Sequence, residues 1–184
     1  MLLRFRFFVL TSFYAFLRFS DFCVLRLRHF HFYSDYMSIT IAHSKCDQYR
    51  QGNTVTVAIL PDTPRCCAVE VAQLYIELLR RASATDDYFV LQLVLVSRDG
   101  CLSRQASREV MVNQLRRALF SLVTDPLQYP LHSLRSGGAT SAASSPSVRR
   151  DAIKRHGRWA SSAVDKYIEL DSRLHITRNI SGSN

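Results

Sequence analysis

The chain is short of acidic side chains, and it lacks the patterns that carry metal or nucleotide chemistry. Fifteen Asp and Glu stand against 24 Lys and Arg in 184 residues, a net charge of +9. That surface favours a polyanion, although arginine-rich solvated helix faces account for such a charge about equally well. No clustered acidic site and no Walker-type loop occurs, so nothing points to a metal-dependent or nucleotide-driven reaction. With six glycines and five prolines there is no long linker and no internal repeat. The five cysteines are odd in number. They include the adjacent Cys66 and Cys67, which cannot easily bridge each other and lack the paired spacing of a zinc site, so the expectation is a reducing compartment. Long apolar runs are missing too. The uncharged stretch 7–17 is closed by Arg18 before it could span a membrane, and no small-residue cleavage site follows. A secreted or membrane reading therefore rests only on that apolar start and on the triplet Asn179-Ile180-Ser181, which the free cysteines disfavour.

What is present fits one globular domain, 47% hydrophobic and 21% charged, large enough for a real core. Phe and Leu at helical spacing predict a helix over about 5–30, with Arg18 inside a largely apolar wall. Alternation predicts strands at 37–45 and 53–60 joined through CDQYRQG, a β-hairpin. Further predicted elements are a helix at 67–82, a strand at 88–96 turning at Arg98-Asp99-Gly100, and a helix at 107–123. The Gly- and Ala-rich stretch after His132 reads as a tightly packed helix that Pro130 precedes or opens. Short helices at 149–157 and 161–170 flank a GRW turn.

The chemistry concentrates in the last third. His132 and Arg135 stand one helical turn apart in HSLRSGGAT, and GRW and Tyr167 follow. An arginine offers a permanently charged fork for phosphate oxygens, a histidine moves protons near neutral pH, and a tyrosine hydroxyl can attack phosphorus. Together they point to phosphodiester chemistry. Singly each has a plainer explanation: an ion pair for Arg18 with Asp21, a hydrogen-bonded core histidine, a packing tryptophan, a solvated lysine. Gly137 and Gly138 let backbone approach DNA or let helices pack closely, and the sequence leaves both open.

Taken in order, Arg18, Lys45, His132, Arg135, Trp159 and Tyr167 resemble the tyrosine recombinase (phage integrase) family over nearly the whole chain. FYAFLRFSD supplies the first arginine and, three positions on, Asp21. SKCDQ places Lys45 at the end of the first predicted strand, and HSLR, GRW and DKYI supply the rest. The wording is most like the recombinases of eukaryotic mobile elements.

The resemblance implies an α+β, mostly helical catalytic core with a small antiparallel sheet, its hairpin near 37–60, packed against helices. It implies one catalytic domain over 1–184 with its core at about 10–170, and an N-terminal DNA-clamping domain missing. It also implies roles. Arg18 and Arg135 would bracket the phosphate, His132 would take or position the proton of Tyr167, and Lys45 would protonate the departing 5′ oxygen. Trp159 would donate to the phosphate or support Tyr167. His156 is a secondary candidate for the Trp159 role, and Asp21 is secondary beside Arg18. The implied partner is double-stranded DNA, with no cofactor, no metal and no membrane. A homo-oligomer on DNA, a synaptic tetramer in the family, is put in doubt by the short tail of 17 residues after Tyr167. The expected compartment is the nucleus in a eukaryote and the cytoplasm otherwise. Competing expectations are a type IB topoisomerase-like activity and a catalytically weak DNA-binding remnant.

Overall fold

The computed structural model describes residues 3–41, 53–97, 100–159 and 164–165. Lys45, Tyr167 and most of the helix expected at 161–170 lie outside these residues. The architecture is α+β, mostly helical, with a small antiparallel sheet.

Helix α1 (Leu3–Tyr14) is the hub, packed against both α3 (Ala68–Arg81) and α5 (His132–Ala143). Its aromatic residues explain this. Phe7 and Phe8 are fully buried. The Phe7 ring lies 4.9 Å from Tyr75, 5.4 Å from Phe22 and 5.6 Å from Phe30 between centroids, and Phe8 lies 5.1 Å from Phe22. Each such ring contributes on the order of 1.5–3 kcal/mol by burial, and the edge-on pairs add to it. Tyr75 keeps its hydroxyl satisfied by donating to the Val90 carbonyl at 2.9 Å.

The single helix expected over 5–30 is instead three pieces: α1, a short α2 (Phe19–Cys23) and a 3-10 turn at Leu27–His29. The break follows from packing. Phe22, Leu25 and Leu27 belong to the main core, whereas Phe16 joins a second cluster with Ala139, Ile153, Trp159 and Val164. A straight helix does not serve both. The chain turns at Phe16, which adopts φ 48°, while the Leu17 N–H reaches back to the Ser12 carbonyl at 3.0 Å, the six-to-one bond of a Schellman helix end. Arg18 is consequently the extended residue that caps α2, not a helical residue.

The expected hairpin is present as β2 (Tyr36–Ile41) and β3 (Asn53–Ala58), in register Met37 to Val57 and Ile39 to Val55. A strand the sequence did not suggest, β1 (Phe30–Phe32), pairs with β2 and sets Phe30 opposite Ile39. Met37, Ile39, Ile41, Val55 and Val57 all point into the core, the inward half of an alternating pattern. The strand expected at 88–96 begins later, as β4 (Gln92–Ser97), and β5 (Gly100–Gln105) completes a second hairpin. Helix α4 (Arg108–Leu119) opens where the Ser107 hydroxyl accepts the Val110 N–H at 3.3 Å, an N-cap. Helix α6 (Arg150–His156) follows α5 and packs on it. Among the described residues no helix is long and apolar enough to cross a membrane.

Candidate active site

Helix α5 begins just after Pro130 and buried Leu131. Its first residue is His132, and the 3.6-residue period sets Arg135 on the same face. The His132 side chain is exposed, yet its pKa is lowered below the usual histidine value, by partial burial first and then by the charges of Arg135 and Arg18. Two of the expected arginines therefore press electrostatically on the expected histidine. Lowered pKa means a neutral imidazole at pH 7, which is the form that accepts a proton.

Among the described residues Arg135 is the largest fully buried side chain. Nη1 donates to the Phe16 carbonyl, and Nη2 donates to the Gly157 carbonyl at 2.5 Å. The guanidinium lies 4.3 Å from the centre of the Trp159 ring. Burying a cation is costly unless its donors are met. Here they meet the Phe16 carbonyl just past α1 and the Gly157 carbonyl that caps α6, at helix ends where the dipole is negative, and an indole face that attracts cations. The fork is thus turned inward, joining α5 to the ends of α1 and α6. Arg18, by contrast, is half-buried, and its Nη1 is shielded from solvent with no hydrogen-bond partner among the described residues.

Asp21 does not simply pair with the Arg18 side chain. Its carboxylate accepts the Arg18 backbone N–H at 3.1 Å, the reach-back half of a capping box. The same oxygen, Oδ2, lies 3.6 Å from Nη2 of Arg158. His156 is held by packing: its Nε2–H donates to the Tyr14 carbonyl at 2.7 Å, and its ring stands edge-on to Phe16 at 4.6 Å. Burial first, and then Arg158 and Arg135, lower its pKa, while the bond to Tyr14 acts in the opposite sense.

The GRW turn is a second Schellman end. The Arg158 N–H returns to the Arg155 carbonyl at 3.0 Å and the Trp159 N–H to the Lys154 carbonyl at 3.1 Å. Gly157 is needed for room, because a Cβ there would lie 1.8 Å from the Trp159 ring. Arg158 takes the left-handed position at φ 57°, which costs a non-glycine residue roughly 1–2 kcal/mol. Gly138 resolves the choice left by the sequence in favour of packing: a Cβ there would lie 2.1 Å from the Phe13 carbonyl oxygen. Arg18, His132, Arg135 and Trp159 thus gather at the C-terminal end of α1, with Asp21 and His156 beside them. Arg158 was not singled out from the sequence, and the arginine inside GRW was its only signal.

The structure is similar to that of the XerH site-specific recombinase bound to its palindromic difH substrate in a post-cleavage complex, with a TM-score of 0.67 at 15% sequence identity. The fold is that of a tyrosine recombinase catalytic domain. The match covers 98% of this chain but 46% of that recombinase, so the chain spans less than half its length. No protein-family model and no curated protein matches the sequence. In this fold the α1 end, the start of α5 and the turn after α6 lie together, held by Arg135 and Trp159.

Proposed function

We propose that the chain is a DNA strand transferase that cleaves and rejoins a phosphodiester through a covalent 3′-phosphotyrosine at Tyr167. The observation that carries this reading is the convergence of Arg18 and Arg135 on a neutral His132 in a tyrosine recombinase fold. The phenol of Tyr167, with a pKa of about 10, is almost wholly protonated at pH 7 and needs a base. His132, kept neutral, takes that proton. The phenolate oxygen then bonds to phosphorus and the bond to the 5′ oxygen breaks, with Lys45 supplying the proton that makes the 5′ hydroxyl. Arg18, whose Nη1 has no hydrogen-bond partner among the described residues, stabilises charge on the non-bridging oxygens. Attack by a strand hydroxyl on the phosphotyrosine reverses the steps, so the bond energy is conserved and no energy cofactor is consumed. Double-stranded DNA is the partner in this reading. Origin in a eukaryotic mobile element, action in the nucleus and assembly as an oligomer on DNA belong to the same proposal.

One observation favours a second reading, a DNA-binding remnant with weak or no cleavage. The Arg135 fork is committed to the Phe16 and Gly157 carbonyls, and it reaches a phosphate only if those bonds rearrange. A nicked suicide substrate separates the two readings. The strand-transferase reading expects a denaturation-resistant protein–DNA adduct that Tyr167→Phe abolishes. The remnant reading expects salt-sensitive binding, equal in both proteins, with no adduct.

A further inference from the structure

A third arginine sits behind the site, and its environment differs from that of a phosphate ligand. The Arg158 side chain is 5% exposed, and the Asp21 side chain it faces is 4% exposed. Nη2 donates to the Phe16 carbonyl at 3.1 Å, and Nη1 lies 3.4 Å from the Ala15 and 3.3 Å from the His156 carbonyl oxygen. Asp21 completes the set at 3.6 Å. The Phe16 carbonyl thus receives both Arg158 and Arg135, and the Asp21 carboxylate receives both Arg158 and the backbone N–H of Arg18.

We propose that Arg158 is a positioning residue: its buried pair with Asp21 locks the backbone of Arg18 to the turn that carries Trp159. This rests on the strand-transferase reading for its catalytic consequence, but the lock itself is a feature of the folded chain. The chain of contacts is short. Asp21 fixes where α2 starts and so where Arg18 leaves the backbone. Arg158 fixes the left-handed turn, and with it the Trp159 ring that covers Arg135. Removing Arg158 takes the ion pair from the buried Asp21 carboxylate, and removing the Asp21 charge leaves Arg158 on backbone carbonyls alone among its contacts given above, so the two halves of the site lose their common register. A misplacement of about 1 Å at such a site costs on the order of 10²-fold in rate.

Two measurements on the full chain test this. Trp159 is the one tryptophan, so emission reports on that turn whether or not DNA is cleaved. Arg158→Gly suits the left-handed backbone and removes the whole side chain, stem and guanidinium together, whereas Arg158→Lys keeps a stem and a charge. Arg158→Gly is expected to keep its far-UV circular dichroism while Trp159 emission shifts to the red and quenches more readily with acrylamide. Asp21→Asn is expected to do the same, and Arg158→Lys to do so less. Wild-type emission from Arg158→Gly, folded, overturns the proposal. In cleavage of nicked DNA, Arg158→Gly and Asp21→Asn are expected to form adduct about tenfold more slowly with DNA affinity within about twofold. The double variant is expected to be no slower than the slower single one, because both remove one contact. Additive losses, or an affinity loss equal to that of Arg18→Ala, overturn it by making Arg158 an independent phosphate ligand. If Asp21→Asn does not fold, Arg158→Gly and Arg158→Lys carry both arms. If the wild-type chain forms no adduct, the strand-transferase reading fails, and the emission arm alone decides the lock.

Discussion

At the scale of single residues, the site is governed by what three arginines do to one histidine and one carbonyl. Arg135 and Arg158 both end on the Phe16 carbonyl, while Arg18 and Arg135 set the charge around His132. The sign of that effect is testable. A histidine lowered first by partial burial and then by neighbouring cations is neutral from its folded pKa upward, so the acid limb of any cleavage profile lies below the ordinary histidine value of about 6.5. Removing Arg18 withdraws one of those cations. An NMR titration of the His132 ring in Arg18→Ala is therefore expected to give a higher pKa than in wild type, moving toward the ordinary value. An unchanged or lower value would separate Arg18 from the site.

The residue scale also marks how far sequence reaches. His132 and Arg135 could be placed on one helix face because three residues of spacing is a local property. The inward turn of Arg135 could not be read, since its partners lie 119 and 22 residues away. Arg158 shared that fate, hidden among contacts 142 and 143 residues distant.

At the scale of elements, three helices among the described residues end with non-glycine residues in the left-handed region: Phe16, Ser83 and Arg158. This is why the helix expected over 5–30 concealed its break, for glycine is the usual sign of such a turn and Phe16 gives no such sign. The β2–β3 hairpin was legible because its alternation is strong, whereas β1 is three residues long and offers no period to read. Two substitutions weigh these turns. Ser83 closes α3, its N–H donating to the Arg80 carbonyl and the next N–H, that of Ala84, to the Leu79 carbonyl, away from the site. Ser83→Gly is expected to raise stability by roughly 0.5–1 kcal/mol in denaturant unfolding, by relief of the left-handed strain net of glycine's entropy. At Gly138 the added carbon of Gly138→Ala meets the α1 backbone rather than a flexible side chain. It is expected to cost about 2–3 kcal/mol, with α1 and α5 forced apart. Tolerance of alanine there would mean that the two helices are not in such close contact.

At the scale of the whole molecule, the +9 charge bears on the polyanionic partner of the proposed function. Binding that neutralises phosphates releases counterions, so the logarithm of affinity falls by about 0.9 per contact for each unit of log salt. The chain is expected to bind duplex DNA with a slope steeper than about −3, corresponding to roughly four phosphate contacts. Arg18→Ala is expected to reduce that slope by about one if the Arg18 guanidinium meets a phosphate. A salt-independent affinity would contradict a phosphate-facing site.

The central claim is that Tyr167 becomes covalently joined to DNA, and the most direct measurement is to map the attachment. Protein trapped on nicked duplex would be digested and the nucleotide-bearing peptide sequenced by mass spectrometry. One modified residue is expected, Tyr167, linked to a 3′ phosphate, with the opposite end of the break a free 5′ hydroxyl. Attachment through another residue or to a 5′ phosphate, or DNA bound tightly with no covalent product, would contradict it.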